Sequence, residues 1–399
     1  MTDAVNRREL LRRMGGAVAG GSLAAVTPPA RALASPVAGA SVPPRPVGPV
    51  NAEVAARHGM AYKAMPREAT GVDVESLITI GSVGDLVSRR AALIDYVWKG
   101  AGLPFGAPRV RQDVAVPELA ALRSLRRIDE LSVPLAHAVS SRLFHVLPQC
   151  EWNRRLAVYH NGHGEPLGTM LRTTQALLDR GYSVLACAMP FKHWNPPSIT
   201  EPGDARRRTV ITSHDDLARW ESAGFSALTF FLEPVAIALN HVTRTYRPTS
   251  VQMIGLSGGG WTTTVYAAID PRVTRSYPAA GSVPFYLRSA PPNACSTTGD
   301  WEQRRDALPG FYAIAGFLDL YLMAAVGPGR RQIQILNRFD PCCFSGVGHR
   351  GYAPAVSHRA AVIGDGHWEL VEDATHDRHT ISPYALSVIL HDLGVHADG

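Results

Sequence analysis

The chain has 399 residues, of which 46% are hydrophobic, and a formal net charge of +6 at pH 7. It is long enough to bury a large core, as one large α/β domain or as two smaller domains. Half of the net positive charge lies in residues 1–34, and the rest is spread over a large body that has no basic run interleaved with aromatic residues. The charge therefore argues against a nucleic-acid partner.

The N-terminus has the pattern of an export signal. Arg7 and Arg8 form a twin-arginine motif, a Gly/Ala-rich apolar stretch follows over 14–26, and Ala-Leu-Ala at 32–34 supplies a cleavage site. The apolar stretch is too short and too rich in glycine to span a bilayer. We therefore expect a twin-arginine-type signal peptide over 1–34, recognition by the twin-arginine export machinery, a periplasmic or extracellular protein, and no stable membrane anchor. A disordered basic tail is the alternative.

The spacing of apolar residues predicts the following elements. They are a helix over 84–100, strands over 127–133, 141–147 and 156–159, a helix over 166–180, a strand over 183–189, a helix over 227–245, a strand over 251–256, a helix over 261–269, strands over 273–279, 332–337 and 367–372, and a helix over 382–393. Residues 310–327 form the longest apolar stretch after the signal, but Asp319 interrupts it, so we expect a buried or lid helix there and not a membrane segment.

Strands that alternate with helices predict an α/β fold with a mostly parallel central sheet and helices on both faces. The predicted organisation is a Pro/Ala-rich lead-in over 35–60, an N-terminal helical extension over 61–123 and a main domain over 124–399. Two segments interrupt the alternation, at 192–226 and 284–330. Because insertions after strand ends overhang the binding site in this architecture, we expect both to shape it.

The most informative motif is Gly-Leu-Ser-Gly-Gly at 255–259, a G-x-S-x-G box between a predicted strand and a predicted helix. Such a turn is so tight that Ser257 must adopt a strained backbone conformation, and glycines on either side leave room for the crossing chain. The hydroxyl then points outward, and the Gly258 N–H at the start of the helix is free to bind an oxyanion. A glycine-rich turn without function is the alternative.

A serine nucleophile needs a base, and the base needs a carboxylate that orients it. Asp340 follows a predicted strand directly, whereas Asp319 is a weaker candidate because it lies inside an apolar segment. Asp340 could instead only begin a turn. His376 and His379 both follow the last predicted strand, and we favour His379 as the base because it lies nearer the final helix, with His376 as the alternative base.

The loop over 160–164 follows a strand and precedes a helix, so backbone N–H groups near His163 are candidates for the second oxyanion donor. A glycine turn with incidental histidines is the alternative. The pairs His160/His163 and His376/His379 could also meet around zinc, but neither pair lies on a helix with a metalloprotease-type glutamate.

On these motifs the chain resembles the α/β-hydrolase superfamily, and most closely its exported serine esterases, over roughly 124–395. The chain order Ser257, Asp340, His379 is the order of that superfamily. The resemblance implies an eight-stranded type of sheet, no cofactor, and acyl transfer to water through an acyl-serine. We also expect no metal site.

The sequence thus predicts an exported serine hydrolase that cleaves carboxylic esters, with a preference for short acyl groups on small molecules or carbohydrates. The alternatives are a serine peptidase of the same fold, a zinc-dependent hydrolase and a non-catalytic binding protein.

Two sets of residues leave alternatives open. The oxidising compartment allows disulfides, and one option is a bridge from Cys295 to Cys342 or Cys343. Aromatic residues in or beside the insertions either contact the substrate or anchor the insertions to the body. They are Phe191, Trp194, Trp220 and Trp301.

Overall fold

A computed structural model describes residues 48–59, 62, 64, 65, 67–288 and 298–394, all of which belong to one compact unit. The predicted signal peptide, most of the lead-in and Cys295 lie outside these residues, so the export signal and the disulfide stay predictions. Within the described part of the chain, no helix combines the length and the apolar character needed to cross a bilayer.

A nine-stranded sheet forms the centre of the described residues, in the order β1-β2-β3-β5-β4-β8-β9-β10-β11, beside a separate β6-β7 hairpin. The strands are β1 (Arg109–Arg111), β2 (Leu125–Pro134), β3 (Ser140–Pro148), β4 (Arg155–His160), β5 (Ser183–Cys187), β6 (Ser198–Glu201), β7 (Asp204–Val210), β8 (Ser250–Leu256), β9 (Val273–Ala279), β10 (Arg331–Asn337) and β11 (His367–Asp373). In this sheet order, the strands β5, β4, β8, β9, β10 and β11 pair in parallel. The pairs β1-β2, β2-β3 and β3-β5 are antiparallel.

The mostly parallel sheet predicted from the sequence is confirmed. The sheet has one strand more than the eight that the resemblance implied, because the short, fully exposed β1 pairs with β2 at the edge. Three exposed residues carry no apolar alternation, so the sequence gives no signal for this strand.

Helices cover both faces of the sheet, as predicted. The helices are α1 (Ala52–His58), α2 (Val74–Leu77), α3 (Val83–Trp98), α4 (Leu167–Leu178), α5 (Thr229–Tyr246), α6 (Gly258–Ile269), α7 (Pro309–Ile314), α8 (Phe317–Ala325), α9 (Ala353–Ile363) and α10 (Pro383–Gly394). Successive side chains of a strand point to opposite faces. In β4, Leu156 and Val158 join a core with α3, α5, α6 and α8, whereas Ala157 and Tyr159 join a second core with α4 and α10.

The prediction of a single helix over 310–327 is wrong, because two helices occupy this stretch. Ala315 adopts an extended conformation (φ −149°, ψ 119°) and separates α7 from α8. Every residue of α8 is buried, which makes it a core helix and not a lid. Asp319 accepts hydrogen bonds from the backbone of Thr79 (2.9 Å) and Ile80 (3.2 Å), so its carboxylate ties the N-terminal extension to this helix.

Candidate active site

The parallel strands of the sheet end at one edge, where the loops after β4, β8, β10 and β11 meet. Ligands of open α/β sheets bind outside the carboxyl ends of the strands. Ser257 follows β8, the loop over 160–164 follows β4, Asp340 follows β10 and His379 follows β11. Parallel pairing of β4 with β8 and of β10 with β11 therefore brings residues distant in sequence to the same edge.

Ser257 lies in a strained turn between β8 and α6. Its φ of 60° and ψ of −125° are rare for a residue with a side chain. A methyl group on Gly255 would overlap the Gly259 carbonyl, and one on Gly259 would overlap the His160 carbonyl. The two glycines of the motif thus allow the close approach that the turn needs, as the sequence indicated.

Asp340 and His379 form a hydrogen-bonded pair, with 2.8 Å between Oδ2 and Nδ1. Asp340 is completely buried, and its Oδ1 accepts the N–H groups of Cys342 (2.8 Å) and Cys343 (3.0 Å). Ser257 and His379 line the same cavity but, among the described atoms, share no hydrogen bond. Hydrogen bonds of this kind are often long without substrate and tighten when it binds.

The contact between Asp340 and His379 shifts their pKa values in opposite directions from the ordinary values. Burial disfavours the charged forms of both groups, but their mutual hydrogen bond and opposite charges outweigh it. As a result the pKa of His379 is raised above its ordinary value and the pKa of Asp340 is lowered. Asp340 therefore stays ionised at neutral pH and stabilises a proton on His379.

The second candidate base, His376, has local partners instead. Its Nε2 lies 3.3 Å from Asp373 Oδ2, and its Nδ1 accepts the backbone N–H of Arg378 at 3.0 Å. Because Asp340 contacts His379, the geometry favours His379 over His376 as the base.

The loop after β4 packs directly against the serine. A methyl group on Gly162 would lie 2.8 Å from Ser257 Cβ and 2.7 Å from the Leu256 carbonyl oxygen. The Gly162 N–H already donates to Glu165 Oε2 at 2.8 Å, which leaves the N–H groups of Gly258 and His163 as the candidate oxyanion donors. Gly258 is the first residue of α6, so its N–H has no acceptor within the helix.

Glu165 organises this loop from within the protein. It is 2% exposed and accepts a hydrogen bond from the Tyr159 hydroxyl at 2.6 Å in addition to that from Gly162. Burial raises the pKa of Glu165 to about 7, although both hydrogen bonds act in the opposite direction. Its contacts with Tyr159 and Gly162 give Glu165 a role in fixing the conformation of this loop.

The structure does not bring the four histidines of the two H-x-x-H pairs together. His160 Nδ1 lies 3.1 Å from the Asn161 carbonyl oxygen, and His376 and His379 face different aspartates. His163 has partners that the sequence did not suggest, since its Nε2 lies 2.8 Å from His214 Nδ1 and 3.2 Å from Glu302 Oε1.

A cavity of about 350 Å³ lies over the serine. The described residues that line it are His163, Gly164, Glu165, Ser257, Gly299, Asp300, Gln303, Cys342, Cys343, Phe344 and His379. Among these, Phe344 alone carries a large apolar side chain. Cys343 Sγ lies 4.0 Å from Ser257 Oγ and 2.7 Å from Cys342 Sγ.

The aromatic residues of the insertions do not line this cavity. All four are less than 7% exposed: Phe191, Trp194, Trp220 and Trp301. The indole of Trp194 donates to the Arg142 carbonyl at 2.7 Å, and that of Trp220 donates to the Thr200 carbonyl at 2.9 Å. Their role is therefore to anchor the insertions, which was the second of the two alternatives.

No protein-family model matches the sequence, and a comparison with curated proteins finds no match. Solved structures do match. The chain is similar to an acetyl xylan esterase from Paenibacillus sp. R4, with 14% identity, a TM-score of 0.50, and coverage of 83% of this chain and 99% of that one. It is also similar to the methylesterase BT1017, with 14% identity, a TM-score of 0.52, and coverage of 79% and 63%. At these identities the likeness concerns the fold, and the predicted α/β-hydrolase fold is confirmed.

Proposed function

We propose that the protein is a serine hydrolase that cleaves carboxylic esters of short acyl groups. The observation that carries this proposal is that Ser257, in a strained turn, and His379, which is hydrogen-bonded to buried Asp340, line the same cavity. The structural neighbours named above are esterases, which is consistent with it.

The mechanism uses these groups in two half-reactions. Ser257 Oγ attacks the ester carbonyl carbon while His379 Nε2 takes the hydroxyl proton, and Asp340 stabilises the resulting imidazolium. The N–H groups of Gly258 and His163 bind the oxyanion. The carbon–oxygen bond to the alcohol then breaks, and His379 gives the proton to the leaving oxygen. Water, activated by His379, next attacks the acyl-serine and releases the acid.

The cavity supports the preference for short acyl groups. Its volume is near the lower end of the ~300–1,000 Å³ typical of small-molecule sites. Apart from Phe344, its described lining consists of polar, charged, glycine and cysteine residues, which suits a hydrated alcohol such as a sugar better than a long hydrocarbon chain. For the intact protein we further propose export by the twin-arginine route, on the motif at Arg7 and Arg8.

A series of nitrophenyl esters from acetyl to dodecanoyl tests this assignment, with Ser257→Ala as the background control. We expect kcat/KM to be highest for acetyl or butyryl and to fall with longer chains. Phe344→Ala should shift the optimum toward longer chains, because it removes the large apolar wall. A maximum at long chains with activation at an oil surface would contradict the proposed substrate class.

A further inference from the structure

Three side chains from distant parts of the chain converge beside the candidate active site. They are His163 after β4, His214 in the turn His214–Arg219 of the first insertion, and Glu302 in the turn Trp301–Gln303 of the second. The side chains of His214 and Glu302 are fully buried, and that of His163 is 17% exposed. We call these residues the His163–His214–Glu302 cluster; it contains none of Ser257, Asp340 and His379, and His163 serves the proposed ester chemistry only through its backbone N–H.

The donor atoms of the cluster face one another. The distances are 2.8 Å from His163 Nε2 to His214 Nδ1, 3.2 Å from His163 Nε2 to Glu302 Oε1, and 3.2 Å from His214 Nδ1 to Glu302 Oε2. Oε1 has no hydrogen-bond partner although it is buried. A tetrahedral zinc ion with bonds of about 2.0–2.1 Å holds neighbouring ligand atoms about 3.3 Å apart.

The contacts of the ring nitrogens that point away from the cluster, His214 Nε2 and His163 Nδ1, bear on which nitrogens carry a lone pair. His214 Nε2 lies 3.0 Å from the Pro190 carbonyl oxygen, which can only accept, so this nitrogen carries the hydrogen of the neutral ring. Nδ1 of the neutral His214 ring then presents a lone pair toward His163 Nε2 and the Glu302 carboxylate, and either a hydrogen on His163 Nε2 or a metal ion between the three groups satisfies it. His163 Nδ1, the nitrogen of that ring that points away from the cluster, lies 3.3 Å from Asp300 Oδ2.

This arrangement has the features of a zinc site. Two imidazole nitrogens and one carboxylate are a common set of three protein ligands for zinc. Metal-binding histidines usually direct their other ring nitrogen to a backbone carbonyl or a carboxylate. His214 does so through the Pro190 carbonyl, and His163 Nδ1 lies 3.3 Å from Asp300 Oδ2 without a hydrogen bond. Calcium and magnesium prefer oxygen ligands and are poorly served by two imidazoles.

We propose that His163, His214 and Glu302 bind a zinc ion that joins both insertions to the loop beside the serine. The ion takes no part in the ester chemistry, which Ser257 and its partners carry out. Its role is to hold the loop in place, since a methyl group on Gly258 would overlap the His163 ring and Gly162 lies against Ser257. The proposal does not depend on the substrate, or on Ser257 being the nucleophile.

Metal analysis of the purified full-length protein tests the site. After growth with zinc and dialysis into metal-free buffer, we expect about one zinc ion per chain by mass spectrometry. Removal of the ion with dipicolinate should lower the melting temperature, and added zinc should restore it. Absence of zinc from the wild type, together with no effect of added zinc on its melting temperature, would show that the cluster is only an ion pair and overturn the proposal.

Variants locate the bound ion. Glu302→Gln, which is nearly isosteric, and His214→Ala should lose both the zinc and the response of the melting temperature to zinc. His349→Ala is the matched control, because His349 is buried and also pairs with a glutamate, with 2.9 Å between its Nε2 and Glu372 Oε2, and this variant should keep the zinc.

A second group of possible ligands lines the same cavity as His163, formed by Cys342, Cys343 and His379. The double variant Cys342→Ser/Cys343→Ser should therefore also retain one zinc ion. Loss of zinc from this double variant, with retention in Glu302→Gln, would place the ion at the cysteines and overturn the proposal.

Discussion

Asp340→Asn is the substitution that bears most directly on how the base is oriented. Asp340 Oδ1 accepts two backbone N–H groups and can still do so as an amide oxygen, so the turn is preserved. Oδ2, which accepts from His379 Nδ1 at 2.8 Å, becomes an N–H donor. The ring must then carry its hydrogen on Nε2, the atom that has to receive the proton of Ser257.

We expect kcat to fall about 10⁴-fold, the size of the effect when a triad carboxylate becomes an amide. That corresponds to about 5 kcal/mol of lost transition-state stabilisation. Stability should fall by about 1–3 kcal/mol, because the new amide also faces Asn337 Nδ2, which lies 3.1 Å from Oδ2.

The pH profile gives a second readout of the same substitution. The base works only when it is neutral, and Asp340 raises the pKa of His379, so wild-type kcat/KM should rise with pH through a midpoint above about 6.5. In Asp340→Asn the charge is gone and burial lowers the pKa, so the midpoint of the residual activity should move down.

Asp319→Asn is the matched control for both readouts, because Asp319 is also buried and accepts backbone hydrogen bonds away from the cavity. It should lose stability but keep kcat and the pH midpoint. The reasoning is refuted if Asp340→Asn keeps kcat within tenfold of wild type, or if Asp319→Asn loses as much activity.

Two further predictions concern the loop beside the serine and the N-terminus. Gly162→Ala should lower kcat/KM about 100-fold, because the new methyl group displaces Ser257 or the Leu256 carbonyl. Gly168→Ala, in α4 and outside the cavity lining, should be nearly silent, because its methyl group would approach only Arg172 Nη1, at 3.7 Å; equal effects of the two variants would contradict the close approach of the loop to the serine. Replacement of Arg7 and Arg8 together by Lys should leave the precursor in the cytoplasm, because the export receptor recognises that pair; cell fractionation that still finds processed, exported protein would point to a general secretory signal.

The elements that carry the site could be predicted because their sequence signals are local. The apolar run before Ser257 predicted β8, which begins at Ser250 in place of the predicted 251, and the glycine motif located the turn. Asp340 directly follows one predicted strand, and His379 follows the last strand and lies nearer the final helix than His376, so both are expected at the edge of the sheet where the parallel strands end. Such reasoning depends on chain order and needs no tertiary contact.

What the sequence could not predict depends on contacts between distant segments. His214 and Glu302 carry no motif, and their proximity to His163 arises from how the two insertions fold back over the sheet. The β6-β7 hairpin was missed because its second strand is charged and almost entirely exposed. The break at Ala315 was missed because composition alone does not distinguish one apolar helix from two.

The nucleophile is the central claim, and covalent labelling tests it most directly. Full-length protein treated with a fluorophosphonate probe should carry one label, on the peptide that contains Ser257, and mass spectrometry of the digest locates it. Ser257→Ala should lose both the label and ester turnover while keeping the wild-type melting profile, whereas Ser282→Ala, a buried serine 3.0 Å from the Tyr321 hydroxyl, should keep the label. A label on another serine, or ester turnover that survives in Ser257→Ala, would contradict the account.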